Sequence, residues 1–220
     1  MAHFTDLLIT INYEDYNRAQ KFKLKENGRV QLIHGVGVDT SRFCGKTKSN
    51  IRNELGINKS SIVYISVGEM IDRKNQMRLI QAFENAKIES SHLLLCGDGG
   101  LRKQIENYVV EHKLSNIHLL GFRSDIPELL AESDIFVFPS YQEGLPGALM
   151  EAMASGKACV ASKIRGNVDL LGDDYKYLFN PDNTEELSNM LKAVIPDIHK
   201  CETVGQERIK PYGFKAAVKE

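Results

Sequence analysis

From residue 62 onward, short apolar runs alternate with amphipathic stretches, and that alternation narrows the choice of fold most. The runs are IVYISVG (62–68), HLLLCG (92–97), NIHLLG (116–121), DIFVFPS (134–140) and ACVAS (158–162). They are brief, partly β-branched and apolar on both faces, as strands of a parallel sheet covered by helices must be. Between them lie NQMRLIQAFENA (75–86), LRKQIENYVVEH (101–112), DIPELLAES (125–133) and PGALMEAMASG (146–156). Their apolar residues recur three and four apart, as with Leu79, Ala82, Phe83 and Ala86, which places them on one helical face. A later helix is predicted over 184–195, with Glu185 and Glu186 in its first turn, where they suit the helix dipole. The pattern reads as α/β: a doubly wound parallel sheet, Rossmann-like.

The first forty or so residues break this rhythm. LLITIN (7–12) predicts a strand, YEDYNRAQKFK (13–23) a helix, and VQLIHGVGVDTSRF (30–43) a short strand entering a glycine-containing loop. The segment has too little apolar mass for its own core. It reads as the trailing edge of another domain or as an added layer on this one.

Composition removes several function classes. The net charge is −1 with both signs interspersed, unlike the lopsided charge of a duplex-binding protein, so no nucleic-acid partner is expected. No apolar run reaches membrane-span length, and MAHFTDLLITINYED lacks the basic region and cleavage site of a signal peptide; a cytoplasmic protein is expected. Cys44, Cys96, Cys159 and Cys201 are widely spaced, which reads as reduced, buried thiols. The six histidines show no metal-ligand spacing.

Ligands of an open parallel sheet bind beyond the carboxyl ends of its strands. The loops there are GEMIDRK (68–74), GDGGL (97–101), GFRSD (121–125), PSYQEGLP (139–146) and SKIRG (162–166). Recurrent glycine and basic residues are the makings of a phosphate site. Singly, GDGG also reads as a tight turn, and Arg73 with Lys74 as solvated surface cations. EGLPGALME (143–151) says more. Pro146 suits a first helical turn, leaving the amides around Gly144, Leu145 and Gly147 at a helix N-terminus that attracts a diphosphate. Glu143 before the turn and Glu151 along the helix then suit hydroxyl-rich groups on either side, as in a nucleotide-sugar. The alternative is that Glu143 is a surface loop residue and Glu151 a solvated helix residue.

The stretch PSYQEGLPGALMEAMASGKACVAS resembles the signature of the family 4 (group 1) retaining glycosyltransferases, whose hallmark is two glutamates with seven residues between them, here Glu143 and Glu151. The similarity extends over about 30–195 through ISVGEMIDRKNQMRLIQAF, LLLCGDGGLRKQIE and IHLLGFRSDIPELLAESDIFVFPS. It implies one half of a GT-B fold: a nucleotide-sugar donor-binding domain over 41–220, preceded in 1–40 by a remnant of the N-terminal acceptor domain and the interdomain connection. It implies Glu143 on the transferred sugar as the catalytic residue, Lys74 on the donor diphosphate and Glu151 on the ribose. Gly144, Leu145 and Pro146 form the turn whose amides meet sugar and phosphate; Phe122 and Arg123 stand where the base is held; Gly97 and Gly99 lie under the nucleotide, near Gly68. Family members commonly carry an arginine where this chain has Glu69, and Arg73 is the candidate replacement for that charge.

The expected activity is transfer of a sugar, from a UDP-sugar by family weighting, to a glycan or lipid-linked acceptor in cell-surface polysaccharide synthesis. No metal or other cofactor is expected. The expected partners are the donor and the N-terminal domain of the same enzyme, with peripheral membrane association open to the full-length protein. PYGFKAAVKE (211–220) reads as a final helix that stops early, and the chain alone is expected to be inactive. The competing readings are a nucleotide-binding module without chemistry and a dinucleotide redox domain; the latter lacks a G-x-G-x-x-G pattern.

Overall fold

The computed structural model describes residues 2–33, 35, 37–43 and 49–214. Two short parallel strands, β1 (Leu7–Thr10) and β2 (Arg29–Leu32), flank helix α1 (Tyr13–Ala19) and form a sheet of their own. The short helices α2 (Thr40–Phe43) and α3 (Ile51–Glu54) lead into the main domain.

That domain alternates strand and helix throughout. In order come β3 (Ile62–Val67), α4 (Gln76–Ala86), β4 (Ser91–Cys96), α5 (Arg102–Glu111), β5 (Ile117–Gly121) and α6 (Ile126–Ala131). Then follow β6 (Ile135–Phe138), α7 (Gly147–Ala154), β7 (Ala158–Ser162), α8 (Arg165–Leu171), β8 (Leu178–Phe179), α9 (Thr184–Ala193) and α10 (Ile198–Ile209). The six strands pair in parallel in the order β5-β4-β3-β6-β7-β8, the doubly wound order that reverses direction between its first and fourth members. All four residues of β6 and all five of β7 are buried. Leu79, Ile80, Ala82 and Phe83 bury one face of α4. Helices thus cover both faces of a sheet whose interior strands are mostly buried, which is why those strands read as continuous apolar runs.

Helices α2 and α3, strand β8 and helices α8 and α10 were not visible in the sequence pattern. Strand β8 has only two residues, too few to show a period. Helix α8 opens on Arg165 and Gly166, and α10 follows a turn at Ile195–Asp197. The helix expected over 184–195 ends at Ala193, where Pro196 lies just beyond. Of the terminal helix expected over 211–220, Phe214 is α-helical and 211–213 are not. Lys210–Tyr212 makes a single 3-10 turn, and Gly213 bridges to Val38, because Pro211 cannot extend the ladder of α10. Residues 215–220 lie outside the described residues, as does Cys44. Cys96, Cys159 and Cys201 are free and buried. Among the described residues no helix is long and apolar enough to cross a membrane.

Candidate functional site

Strands β3 and β6 are neighbours whose following connections run to opposite sides, so a crevice opens beyond their carboxyl ends. One wall of it is built by glycine. Gly68 N–H donates to the Cys96 carbonyl at 2.9 Å, Gly97 N–H to the Gly121 carbonyl at 2.7 Å and Met70 N–H to the Asp98 carbonyl at 2.8 Å. The exits of β3, β4 and β5 are thereby laced together backbone to backbone. Gly97 has φ +140, and a Cβ there would lie 1.9 Å from the Gly68 carbonyl oxygen. Gly99 has φ +155, with a Cβ 2.6 Å from the Met70 carbonyl oxygen. Two of the glycines of GDGG are therefore demanded by the crossing and are more than a turn preference.

The cleft beside this lacing has a volume of about 390 Å³ and is lined by Gly68, Glu69, Gly97, Asp98, Phe122 and Arg123 among others. Phe122 stands at its edge with 84% of its surface exposed. Arg123 holds Asp125 through two hydrogen bonds, Nε to Oδ1 at 2.8 Å and Nη2 to Oδ2 at 2.6 Å. That pairing keeps the Asp125 carboxyl below its ordinary value.

The other wall carries Glu143. Its side chain is 10% exposed and its Oε1 accepts from Lys74 Nζ at 2.7 Å. Arg73 Nη1 lies 3.3 Å from the same oxygen and donates to the Gln142 carbonyl at 2.8 Å. The Lys74 stem passes Gly68, where an added Cβ would meet Lys74 Cδ at 3.6 Å. The structure thus brings Gly68, Arg73, Lys74, Gly97, Gly99, Phe122, Arg123 and Glu143 around one crevice. The Arg73 guanidinium is engaged by the Gln142 carbonyl and Glu143, and Glu69 itself lines the cleft.

Residues that hold these walls escaped the sequence reading. Asn75, in the left-handed region at φ +58, donates from Nδ2 to the Pro139 and Pro181 carbonyls, both at 3.2 Å. Gln76 Nε2 donates to the Glu69 carbonyl at 2.8 Å, and Tyr141 N–H to the Arg73 carbonyl at 2.8 Å. At Gly166, an added Cβ would sit 2.6 Å from the Gly144 carbonyl oxygen, so α8 packs directly on the turn. Buried Asn167 donates to the Ser162 carbonyl at 2.9 Å, and Ser162 Oγ donates to the Ser140 carbonyl at 2.5 Å. The only sequence signal was the pair of amides, Asn75 and Gln76, opening α4.

Pro146 is the N-cap of α7, one position before the first helical residue, and its carbonyl accepts from Met150 N–H at 3.1 Å. It was expected inside the first turn; the extended backbone of the EGLP turn, ψ 109 at Pro146, moves it outward. Among the described residues no backbone carbonyl takes the N–H groups of Gly144, Leu145 or Gly147, as expected at a helix start.

Glu151 lies one turn down α7, half-buried, and the charge that acts on it is Arg42 of α2. Burial pushes its carboxyl above the ordinary value of 4.5, with Arg42 opposing. The folded chain therefore holds this proton more tightly than the unfolded chain, and the stability it contributes is lost as pH rises above 4.5. Glu151→Gln is expected to raise the unfolding midpoint relative to wild type more at pH 7 than at pH 4. Thermal unfolding at the two pH values checks this, and an equal gap at both would refute it.

Among the described residues no group of three His, Cys, Asp or Glu side chains is placed to hold a metal ion. Residues 47–210 match the family model described as glycosyl transferases group 1. The chain belongs to the group 1 glycosyl transferases. This glycosyl transferase is 30% identical over 214 residues to the putative glycosyltransferase EpsD of Bacillus subtilis (strain 168), covering 94% of the chain and 56% of EpsD. It is 32% identical over 205 residues to the UDP-Gal:alpha-D-GlcNAc-diphosphoundecaprenol alpha-1,3-galactosyltransferase of Escherichia coli, covering 89% and 53%. The chain thus spans about half the length of the curated relatives it matches. Among solved structures, Anabaena Alr3699/HepE in complex with UDP superposes with a TM-score of 0.81 at 22% identity, over 99% of this chain and 63% of that one. That likeness establishes a shared fold, and the structural neighbours of this group 1 glycosyl transferase are enzymes of the GT-B class.

Proposed function

We propose that the chain is the C-terminal, donor-binding half of a retaining glycosyltransferase. It takes a nucleotide-sugar, a UDP-sugar, whose sugar passes to a glycan or lipid-linked acceptor in cell-surface polysaccharide synthesis. The observation that carries this reading is the Lys74–Glu143 pair at 2.7 Å, which spans the crevice beside the glycine-lined cleft. Two similar proteins support the choice of donor and acceptor: the Escherichia coli relative is a UDP-Gal:alpha-D-GlcNAc-diphosphoundecaprenol galactosyltransferase, and HepE is solved with UDP.

In this reading the base lies along Phe122 and Arg123, and the diphosphate reaches the mouth of the cleft. There Lys74 and the amides of Gly144, Leu145 and Gly147 offset its charge as the leaving group departs, with Arg73 behind them. No metal is assigned a part in that step. Glu143, now sharing Lys74 with the incoming anion, presents its carboxylate to hydroxyls of the transferred sugar. Glu151 accepts from the ribose. The acceptor is supplied by the N-terminal domain of the same enzyme, of which 1–40 is the remnant, in a cytoplasmic protein that meets the membrane peripherally when whole.

The test combines calorimetry and turnover on the 220-residue chain. UDP is expected to bind weakly and in preference to ADP and GDP, and no sugar transfer from UDP-sugars is expected, because half of the cleft that would exclude water and hold the acceptor is not supplied. Absence of any nucleoside diphosphate binding at millimolar ligand would remove the donor reading. Robust transfer by this chain to an added acceptor would remove the half-enzyme reading. Binding with no transfer after the N-terminal half is added would make the chain a binding module.

A further inference from the structure

Three polar side chains are sealed beneath the turn that carries Glu143. Ser140 follows β6, Ser162 ends β7 and Asn167 lies in the first turn of α8, each with 0% of its surface exposed. Burying polar groups costs stability unless they are hydrogen-bonded, and here the bonds form one relay. Both hydrogens of Asn167 Nδ2 are used, one on the Ser162 carbonyl at 2.9 Å and one on Ser162 Oγ at 3.1 Å. Ser162 Oγ in turn donates to the Ser140 carbonyl at 2.5 Å. Accepting from the amide strengthens that hydroxyl as a donor. Among the described residues no donor reaches Asn167 Oδ1, and Ser140 Oγ meets no partner. The relay therefore runs from one amide nitrogen to one backbone carbonyl.

That carbonyl opens the loop 141–146. Gly166, the neighbour of Asn167, bears on the same loop further along: an added Cβ would lie 2.6 Å from the Gly144 carbonyl oxygen and 2.8 Å from that of Glu143. The Asn167 side chain thus ties the start of α8 to β7, and through Ser162 it ties both to the exit of β6. A peptide unit is planar and trans. A carbonyl held against Gly166 therefore turns the N–H of the next residue the opposite way. The Glu143 carbonyl sets the Gly144 amide in this manner, and the Gly144 carbonyl sets the Leu145 amide.

We infer that Asn167 is a positioning residue for the donor diphosphate: its donated hydrogens hold the Gly144 and Leu145 amides in the direction that the diphosphate needs. The inference rests on the donor reading above and adds to it a side chain that acts on the ligand only through the backbone of another loop.

Titration of the 220-residue chain with UDP and with uridine tests it, followed by protein-observed NMR at pH 5 and pH 8, well below the unfolding midpoint. Asn167→Asp keeps the shape and the idle Oδ1 and changes only the donor. As a carboxylate it gives no hydrogen to the Ser162 carbonyl and draws the Ser162 hydroxyl away from Ser140. Burial holds such a carboxyl protonated to higher pH than in water, and the protonated form donates again. Affinities are taken as ratios to wild type at the same pH. The titration of UDP is then common to both proteins, as are the charged groups on the surrounding elements: Arg165 and Asp169 of α8, Lys163 after β7, and Arg73, Lys74 and Glu143. Asn167→Asp is expected to bind UDP about tenfold more weakly than wild type at pH 8 and within about threefold of it at pH 5, with uridine changed less than about twofold at either. Ser162→Ala, which removes a single hydroxyl, should weaken UDP about fivefold at both pH values and spare uridine.

The inference is overturned if the two variants bind UDP as wild type does while their unfolding midpoints fall, which is what a purely structural bond would produce. Equal loss at pH 5 and pH 8 in Asn167→Asp overturns it too, as does equal loss of UDP and uridine in either variant. Should Asn167→Asp not fold at pH 8, Ser162→Ala decides alone, and wild-type UDP affinity there ends the inference. Failure of wild type to bind UDP at all is instead the failure of the donor reading, and takes this inference with it.

Discussion

Gly97→Ala is expected to abolish nucleotide binding and to lower the unfolding midpoint by roughly 6–12 °C, from a loss of ~3 kcal/mol. The methyl group would stand 1.9 Å from the Gly68 carbonyl oxygen on a backbone at φ +140. Neither obstacle is a side chain that can turn away. Relief requires β3 and β4 to part where they carry the cleft, so stability and binding fall together. Gly100 in the same GDGG sequence has nothing within 4 Å of an added Cβ, and Gly100→Ala should leave the midpoint within about 2 °C. Thermal unfolding of the two variants with UDP titration decides the matter. Equal behaviour of the pair would mean that the close crossing does not exist in solution.

Lys74→Ala is expected to weaken UDP by about tenfold or more while uridine changes less than about twofold. A hydrogen bond to a charged group is worth ~1.5–3 kcal/mol, and only the diphosphate offers the charge. The structure adds a consequence for Glu143. In the free chain Lys74 is already committed to Glu143 at 2.7 Å, so an arriving diphosphate competes with a carboxylate. Glu143→Gln should therefore bind UDP as well as wild type or more tightly, while losing affinity gained from the sugar. The two substitutions move UDP binding in opposite directions, and isothermal titration resolves the sign. Loss of UDP and uridine alike in Lys74→Ala would assign the lysine to folding or to the base. Arg73 remains 3.3 Å from Glu143, so Lys74→Ala does not leave the Glu143 carboxylate without a cation.

The sheet was legible because its strands are buried on both faces. IFVF has no polar residue and ACVAS only its last, Ser162, and glycine or proline closes most such runs. The two-residue β8 had no such length, and α8 begins with arginine and glycine where a helix start was not sought. At the site, the glycines and the two glutamates were readable as types at fixed spacing. Their partners were not. Lys74 and Glu143 are 69 positions apart, and no period or composition reports which cation a carboxylate will meet. Gly166 shows the same limit: its need for glycine comes from the Gly144 carbonyl 2.6 Å from its missing Cβ, a fact about a different loop. The contact of Arg73 with the Gln142 carbonyl at 2.8 Å likewise joins residues 69 positions apart, which no local pattern announces.

The reversal in strand order has a kinetic side. β3 meets β6 through only two register pairs, Tyr64 with Ile135 and Ile65 with Phe136, whereas β3 and β4 share six from Ile62 with Ser91 to Val67 with Cys96. The seam carrying the crevice is thus the sparsest junction between the two wings of the sheet, and it joins segments far apart along the chain. Entropy of loop closure delays such a junction until the local pairings on each side have formed. During refolding, β3-α4-β4 and β6-α7-β7 can each condense without any capacity to capture a nucleotide. Recovery of UDP binding then reports the final docking of the wings, and it lags the return of helical signal in the far ultraviolet.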